Sequence, residues 1–469
     1  MERPVLETCP LLMPAAFLAM GIALGVANGA AGQRWAVALL LAAVLLTLLA
    51  RRWPLVQSAG IWTCFLVLGM VVAPGQEEHV PDGVWTEAVV ASPTVEKPKT
   101  LKTDLLLTAT GERRRCYIWK DERSLQLGIG DNLMVCFRDS QFVSRDGWQH
   151  GGDAFNLLSS LQRLRLRALQ WRATLLQRLN SGSGDDDAQA VMAAMVLGDK
   201  SALTKELRAT YSATGASHVL ALSGLHLGII YLLLTRLTLR RRHLLLSQVV
   251  IVLGIWAFAL LTGLSASVVR AATMISIYAV FSLGGRGNAP LAVLSFTALV
   301  MLLVNSRSLY DIGFQLSFMA MLAILLVSPL MGRLVTPRWM MRHRLKGWLL
   351  SMTVISLAAQ AGTAPLVAYH FGRFSTYFLL TNFVVIPAAT LILYGAVVAL
   401  AIPATAPVLL WLVGLLNAVL AWMSEWPMAS IEGLHPTLLQ VAMTYVLEGL
   451  VVYSIGRFAP VKEDMPWEK

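Results

Sequence analysis

Apolar runs of about twenty residues, enough to cross a hydrocarbon layer about 30 Å thick, recur along most of this chain. By that rule about twelve membrane spans are predicted. Three come first, near residues 11–31, 35–50 and 58–73. Nine follow, near 218–236, 246–264, 266–284, 289–305, 312–331, 347–369, 376–401, 408–426 and 437–457. Between them the period changes. Short runs at 85–92, 102–108, 115–120 and 133–137 are rich in Val, Thr, Leu and aromatic residues, with Gly, Pro and charge between them. Such runs predict a small β-barrel of OB-like size. Over 154–179, Leu157, Leu161, Leu164, Ala168, Trp171, Leu175 and Leu179 recur at steps of three and four, the signature of an amphipathic helix.

The expected fold is an α-helical polytopic membrane protein of about 12 spans with an extracytoplasmic OB-like β-barrel insert. Its parts are a three-span unit (1–75), the β domain (76–152), the amphipathic basic helix with linker helices (153–217), the membrane core (218–457) and a cytoplasmic tail (458–469). Gly21, Gly25 and Gly29, four residues apart, read as a helix-packing stripe. With 56% hydrophobic residues over 469 positions, composition excludes a soluble enzyme. The first apolar stretch lacks a small-residue cleavage pattern after a basic start, so no cleaved signal peptide is expected.

Charge sets orientation. Arg51–Arg52, Arg240–Arg242, the group Arg333, Arg338, Arg342, Arg344 and Lys346, and Arg457 with Lys462 fall on the side of the N-terminus. Basic loops mark the cytoplasm, so both termini are expected there and the β insert outside. The net charge of +11 partly follows from this rule. Cys116 and Cys136 share the insert on the oxidising side, where a disulfide persists; two buried free thiols are the alternative. Asp185–Asp187 read as a helix N-cap rather than metal ligands.

The candidate chemistry is polar residues inside apolar spans, which by default mark a pathway and otherwise serve as interhelical hydrogen-bond glue. His218, Ser223 and His226 stand in 214–231, with Gly224 able to break the helix. Ser223 and His226, three apart, can touch on one helix face. A nucleophile pair is conceivable, but no acid adjoins it and no nucleophile elbow appears. No zincin spacing or HxHxDH cluster occurs, so no metal is expected. Arg270 lies within one span, Asp311 opens another, and Gln315 follows one turn deeper. Arg270 and Asp311 can pair, either at a mouth or as a structural ion pair. Gln360, Gly362 and Pro365, then Asn382 and Pro387, predict two interrupted helices, as occurs where helices line a cavity. His218, Ser223, Arg270, Asp311, His370, Arg373 and Asn382 fall at one predicted depth in the outer half of the membrane, as an outer polar mouth would. On the amphipathic helix, Arg163, Arg165, Arg167 and Arg172 with Trp171 suit membrane lipid or a polyanion.

Four blocks, ATGASHVLALSGLHLGII, TGLSASVVRAATM, LYDIGFQLSFMA and AAQAGTAPLVAYHFGRFSTYFLLTNFVVIP, resemble the signature segments of the ComEC family of DNA-uptake channels. The resemblance spans roughly 187–401 and extends to the β insert, which resembles that family's external domain. It implies a non-enzymatic channel of the bacterial inner membrane that passes single-stranded DNA inward during natural transformation. His218, Ser223, Gly224, His226, Arg270, Asp311 and Gln315 fall in its channel blocks. Partners implied are single-stranded DNA, membrane lipid and separate receptor, nuclease and motor proteins; a homo-oligomer is compatible with it. No cofactor is implied. Many members carry a metallo-β-lactamase-like domain with an HxHxDH motif; that motif is absent here, and so is a P-loop. The alternatives are a channel for another anionic solute or an intramembrane hydrolase.

Overall fold

The computed structural model describes residues 9–74, 83–139, 141–179, 186–238, 244–283, 289–335 and 337–458. The Arg240–Arg242 cluster, Asp185, Lys462 and the tail beyond 458 lie outside them. The chain opens with α1 (Leu12–Leu49) and α2 (Pro54–Val72), packed as a hairpin. Gly21 and Gly25 carry the close approach: a Cβ on Gly21 would meet the Leu66 carbonyl, and one on Gly25 would lie 2.5 Å from the Ala73 Cβ. Gly29 corrects the expected stripe. Among the described residues nothing lies within 4 Å of a Cβ built there, and at φ 61 it kinks α1 between its two apolar segments.

The insert forms β1 (Trp85–Val90), β2 (Val95–Glu96), β3 (Thr100–Leu107), β4 (Arg113–Trp119), β5 (Asn132–Asp139) and β6 (Phe142–His150). Strand β1 pairs antiparallel with both β3 and β5, β3 with β4, and β5 with β6, while β4 meets β6 in parallel. The ring therefore closes, and β2 lies on β3. Alternation places Ala88, Leu105, Cys116, Ile118, Leu133, Val135 and Phe137 inside. Cys116 is buried, whereas Cys136, between inward Val135 and Phe137, faces outward, and both are free thiols. The expected disulfide is therefore not formed: its partners stand on opposite faces of the wall. Strand β6 was not anticipated, because its polar residues break the alternation.

Next come α3 (Ser160–Leu179), α4 (Asp186–Leu197) and α5 (Lys205–Ala213), then a single turn, Ser217–Leu220. The rest of the core is α6 (Gly224–Thr238), α7 (Leu244–Leu261), α8 (Ala266–Leu283), α9 (Pro290–Val304), α10 (Ile312–Leu334), α11 (Arg344–Phe371), α12 (Phe378–Ala401), α13 (Ala406–Ser424) and α14 (Leu438–Phe458). A small two-stranded antiparallel sheet of β7 (Arg373–Ser375) and β8 (Ser430–Glu432) joins the ends of α11 and α13.

This is a mostly helical membrane protein with a β region. Eight helices among the described residues are long and apolar enough to span a bilayer. The segments Trp35–Leu49, Gly224–Thr238, Leu245–Leu261 and Pro290–Val304 are apolar but shorter, so the length rule supports fewer spans than hydropathy suggested. Two further expectations change. Helix α4 is no linker: Ala188, Val191, Met192, Ala194 and Met195 are buried against Val385, Ile392, Leu409 and Val413. Its small residues let it sit inside the bundle. Helices α11 and α12 run unbroken through Pro365 and Pro387. In α11, Gly362 packs 2.5 Å (as a virtual Cβ) from the Met319 carbonyl oxygen, and its own carbonyl accepts the Tyr445 hydroxyl at 3.0 Å. Neighbouring helices thus support the backbone around the proline.

Candidate functional site

The polar blocks, far apart in sequence, converge. The helix expected from 218 is broken at residues 221–223, so His218 sits on the single turn and His226 on α6. The His218 ring is exposed, its Nδ1 3.0 Å from the Gly215 carbonyl oxygen. His226 is fully buried. The Ser223 amide N–H donates to His226 Nδ1 at 3.3 Å, and Ser223 Oγ lies 3.1 Å from the same nitrogen. Since an amide N–H only donates, Nδ1 is the acceptor and the ring proton belongs on Nε2. That buried Nε2 has no hydrogen-bond partner among the described residues. Among the described residues no carboxylate hydrogen-bonds the ring, so the pair there lacks the third group that would activate a serine. Gly224 leaves the break close to α8, with its virtual Cβ 3.8 Å from the Ala271 Cβ.

One residue before Ala271, Arg270 is 5% exposed. Its Nη1 donates to Asp311 Oδ2 at 3.0 Å and its Nη2 to Ser317 Oγ at 3.1 Å. Asp311 also caps α10, accepting from the Gly313 and Phe314 amides at 3.2 Å each. Gly313 leaves room for the guanidinium: a Cβ there would stand 3.0 Å from Arg270 Nη2 and crowd it. Sequence reasoning missed Gly313 and Ser317, since neither is unusual until the guanidinium is placed.

Gln315 links the third block to the fourth. Its Nε2 donates to the Leu309 carbonyl at 2.9 Å, and its Oε1 accepts from His370 Nε2 at 3.1 Å. Beyond the helix end, Arg373 Nη1 donates to Ser212 Oγ at 2.6 Å. Gly215, at φ 80, lets Ser375 approach, its virtual Cβ 2.9 Å from the Ser375 Oγ. Asn382 is half-buried in α12, beside the buried Thr381. Ser212 again escaped notice in the sequence. The described residues hold no cluster of His, Cys, Asp or Glu fit to bind a metal ion.

Helix α3 joins the barrel to the core. Leu166 is buried against Val89 and Leu106, and Gln170 Nε2 donates to the Ile129 carbonyl at 2.8 Å. Leu169 fills the space left by Gly263, its Cδ2 2.7 Å from where a Cβ would stand. Arg172 is buried and pairs with Asp199 at 3.8 Å, so it is a strut rather than a free cation. Burial pushes the pKa of Arg172 down, opposed by Asp199. At Arg165 burial also lowers it, aided by Arg113. Arg163 is half-buried; Arg167 and Trp171 are exposed.

The barrel carries an aromatic face that the sequence reading did not single out. Tyr117 and Phe142 stack at 5.1 Å, Lys97 Nζ lies 4.8 Å from the Tyr117 ring centroid, and Lys102 stands opposite Tyr117. Trp119, two residues along β4, is 40% exposed and Phe142 44%.

Against known families, the model described as Competence protein matches residues 195–458, more than half of the chain. The chain belongs to this family. It is 29% identical over 255 residues to ComE operon protein 3 of Bacillus subtilis (strain 168), covering 53% of this chain and 31% of that protein. To an uncharacterized protein of Aquifex aeolicus (strain VF5) it is 28% identical over 306 residues, 65% of each chain. The chain thus spans less than two thirds of either relative. No solved structure matches.

Proposed function

We propose that this competence-family protein is an inner-membrane channel that admits single-stranded DNA to the cytoplasm during natural transformation. The observation that carries the reading is the meeting of four polar blocks within an otherwise apolar bundle. They are joined through Ser223–His226, the Gly224–Ala271 contact, Arg270–Asp311–Ser317, Gln315–His370 and Ser212–Arg373. Polar groups at such depth line pathways by default. His218 is the exposed ring of the set, and Asp311, 46% exposed, keeps its carboxylate open to the entrance.

In this reading the barrel is of the OB type and lies outside the cytoplasm, with both termini inside. Its strand pairing supports the type, and the basic loops support the side. Tyr117, Trp119 and Phe142 offer stacking surfaces for bases, and Lys97 and Lys102 face phosphates. On α3, Arg163, Arg167 and Trp171 offer further cationic and aromatic contacts. Receptor, nuclease and motor functions come from separate proteins.

Deletion of the gene should abolish entry of labelled DNA into the cytoplasm while leaving surface binding. His218→Ala and Ser223→Ala protein should reach the membrane yet restore entry poorly. Full uptake by both variants would make these groups packing glue and end the reading.

A further inference from the structure

A different part of the core carries a carboxyl group outside these blocks. Glu448 lies in α14, within the span Leu438–Arg457. At 1.5 Å per residue it stands about 15 Å from either end, the midplane of a layer about 30 Å thick. It is half-buried, and its helix packs on α10 and α11.

Neither neighbour supplies a counter-ion at that depth. Between Ile312 and Met331, α10 has no charged residue; α11 has Arg344 and Lys346 at one end and His370 at the other. On α14 itself the other charge is Arg457, nine residues and about 14 Å away. The polar groups near this level are uncharged. Tyr445, one turn before Glu448, donates its hydroxyl proton to the Gly362 carbonyl at 3.0 Å. Thr363 Oγ1 likewise donates to the Ala359 carbonyl at 2.8 Å. Gln360 completes this stretch of α11.

An ionised carboxylate there is strongly disfavoured, and acids inside membrane spans serve as proton relays in pumps and transporters. We propose that Glu448 is a proton-binding site of the membrane core, neutral while α14 lies in hydrocarbon and ionised when water enters between α11 and α14. The exchange involves one proton: a carboxylate oxygen gains it from the aqueous phase and later returns it, with no other bond changed. The site gives the bundle a proton-dependent step at the level where Gly362 brings α10, α11 and α14 together. It does not rest on the DNA reading.

The test uses the full chain in liposomes, treated with dicyclohexylcarbodiimide from about pH 5 to about pH 9. A protonated carboxyl gives its proton to a carbodiimide nitrogen while its oxygen attacks the central carbon. The adduct then rearranges to a stable acylurea that peptide mass analysis detects. Glu448 should carry it, with labelling falling about tenfold per pH unit above the midpoint, as for a single titrating group. Glu448→Gln keeps the side-chain shape, so an unchanged melting curve with no adduct at that peptide assigns the label. An adduct independent of pH, or none at acid pH, overturns the proposal. Labelling needs no DNA, so its outcome is separate from that of uptake assays.

Discussion

At the residue scale, Arg270 and Asp311 are unequal partners. The guanidinium is buried, whereas the carboxylate is 46% exposed and already engaged by two amides. Removing one member of a buried pair costs about 3–5 kcal/mol, chiefly by stranding the other charge. Asp311→Ala strands the buried Arg270 and uncaps α10, so its loss should approach that range. Arg270→Ala leaves a carboxylate that water and the helix amides still satisfy, and should cost less. Melting curves in detergent decide it, and equal losses would contradict the asymmetry. Cys116 provides a second residue-scale expectation. Burial pushes its thiol from 9.0 up to about 12, partly opposed by Arg114. Above about pH 9 the unfolded chain loses this proton while the native barrel keeps it, so its contribution to stability falls as pH rises toward about 12. At mildly alkaline pH, maleimide should modify Cys136 and spare Cys116; equal rates would show that the barrel wall is open.

At the element scale, the barrel's outer face yields a prediction for the nucleic-acid reading. Base–aromatic stacking contributes about 1–3 kcal/mol per base. Trp119→Ala and Phe142→Ala should each weaken binding of a labelled single-stranded oligonucleotide to the full chain by about five- to 150-fold. Fluorescence anisotropy measures this, and an unchanged affinity would exclude the face as a docking surface. This face also shows where sequence legibility ended. Tyr117 and Trp119 were visible as alternate residues of one strand, but Phe142 joins them through a parallel β4–β6 contact that periodicity does not encode. The Arg270–Asp311 partnership was readable because each charge is conspicuous in apolar surroundings. Ser317, Gly313 and Ser212 were not, because serine and glycine are ordinary until a guanidinium is placed beside them. Helix α4 was misread for the same reason: alanines give a weak hydropathy signal, yet they suit a helix enclosed on all sides.

At the scale of the whole molecule, one packing chain connects the barrel to the polar blocks. Gln170 holds the barrel at Ile129, Leu169 enters the gap at Gly263, and Arg172 reaches Asp199. Seven residues beyond Gly263, on α8, stands Arg270. Under the proposed function this packing puts the barrel on the same side of the membrane as the Gly263 end of α8, and so as the proposed mouth. In the proposed topology the basic loops place that side outside. Reporter fusions near Gly111 and Ser375 should therefore report the outside, and a fusion at Arg342 the cytoplasm. The shorter helices α6, α7 and α9 make this a demanding test, because each one that fails to cross would invert the loops after it. A cytoplasmic signal at Ser375 with an external one at Gly111 would separate barrel from mouth and remove the shared entrance. An external signal at Arg342 would overturn the basic-loop assignment itself.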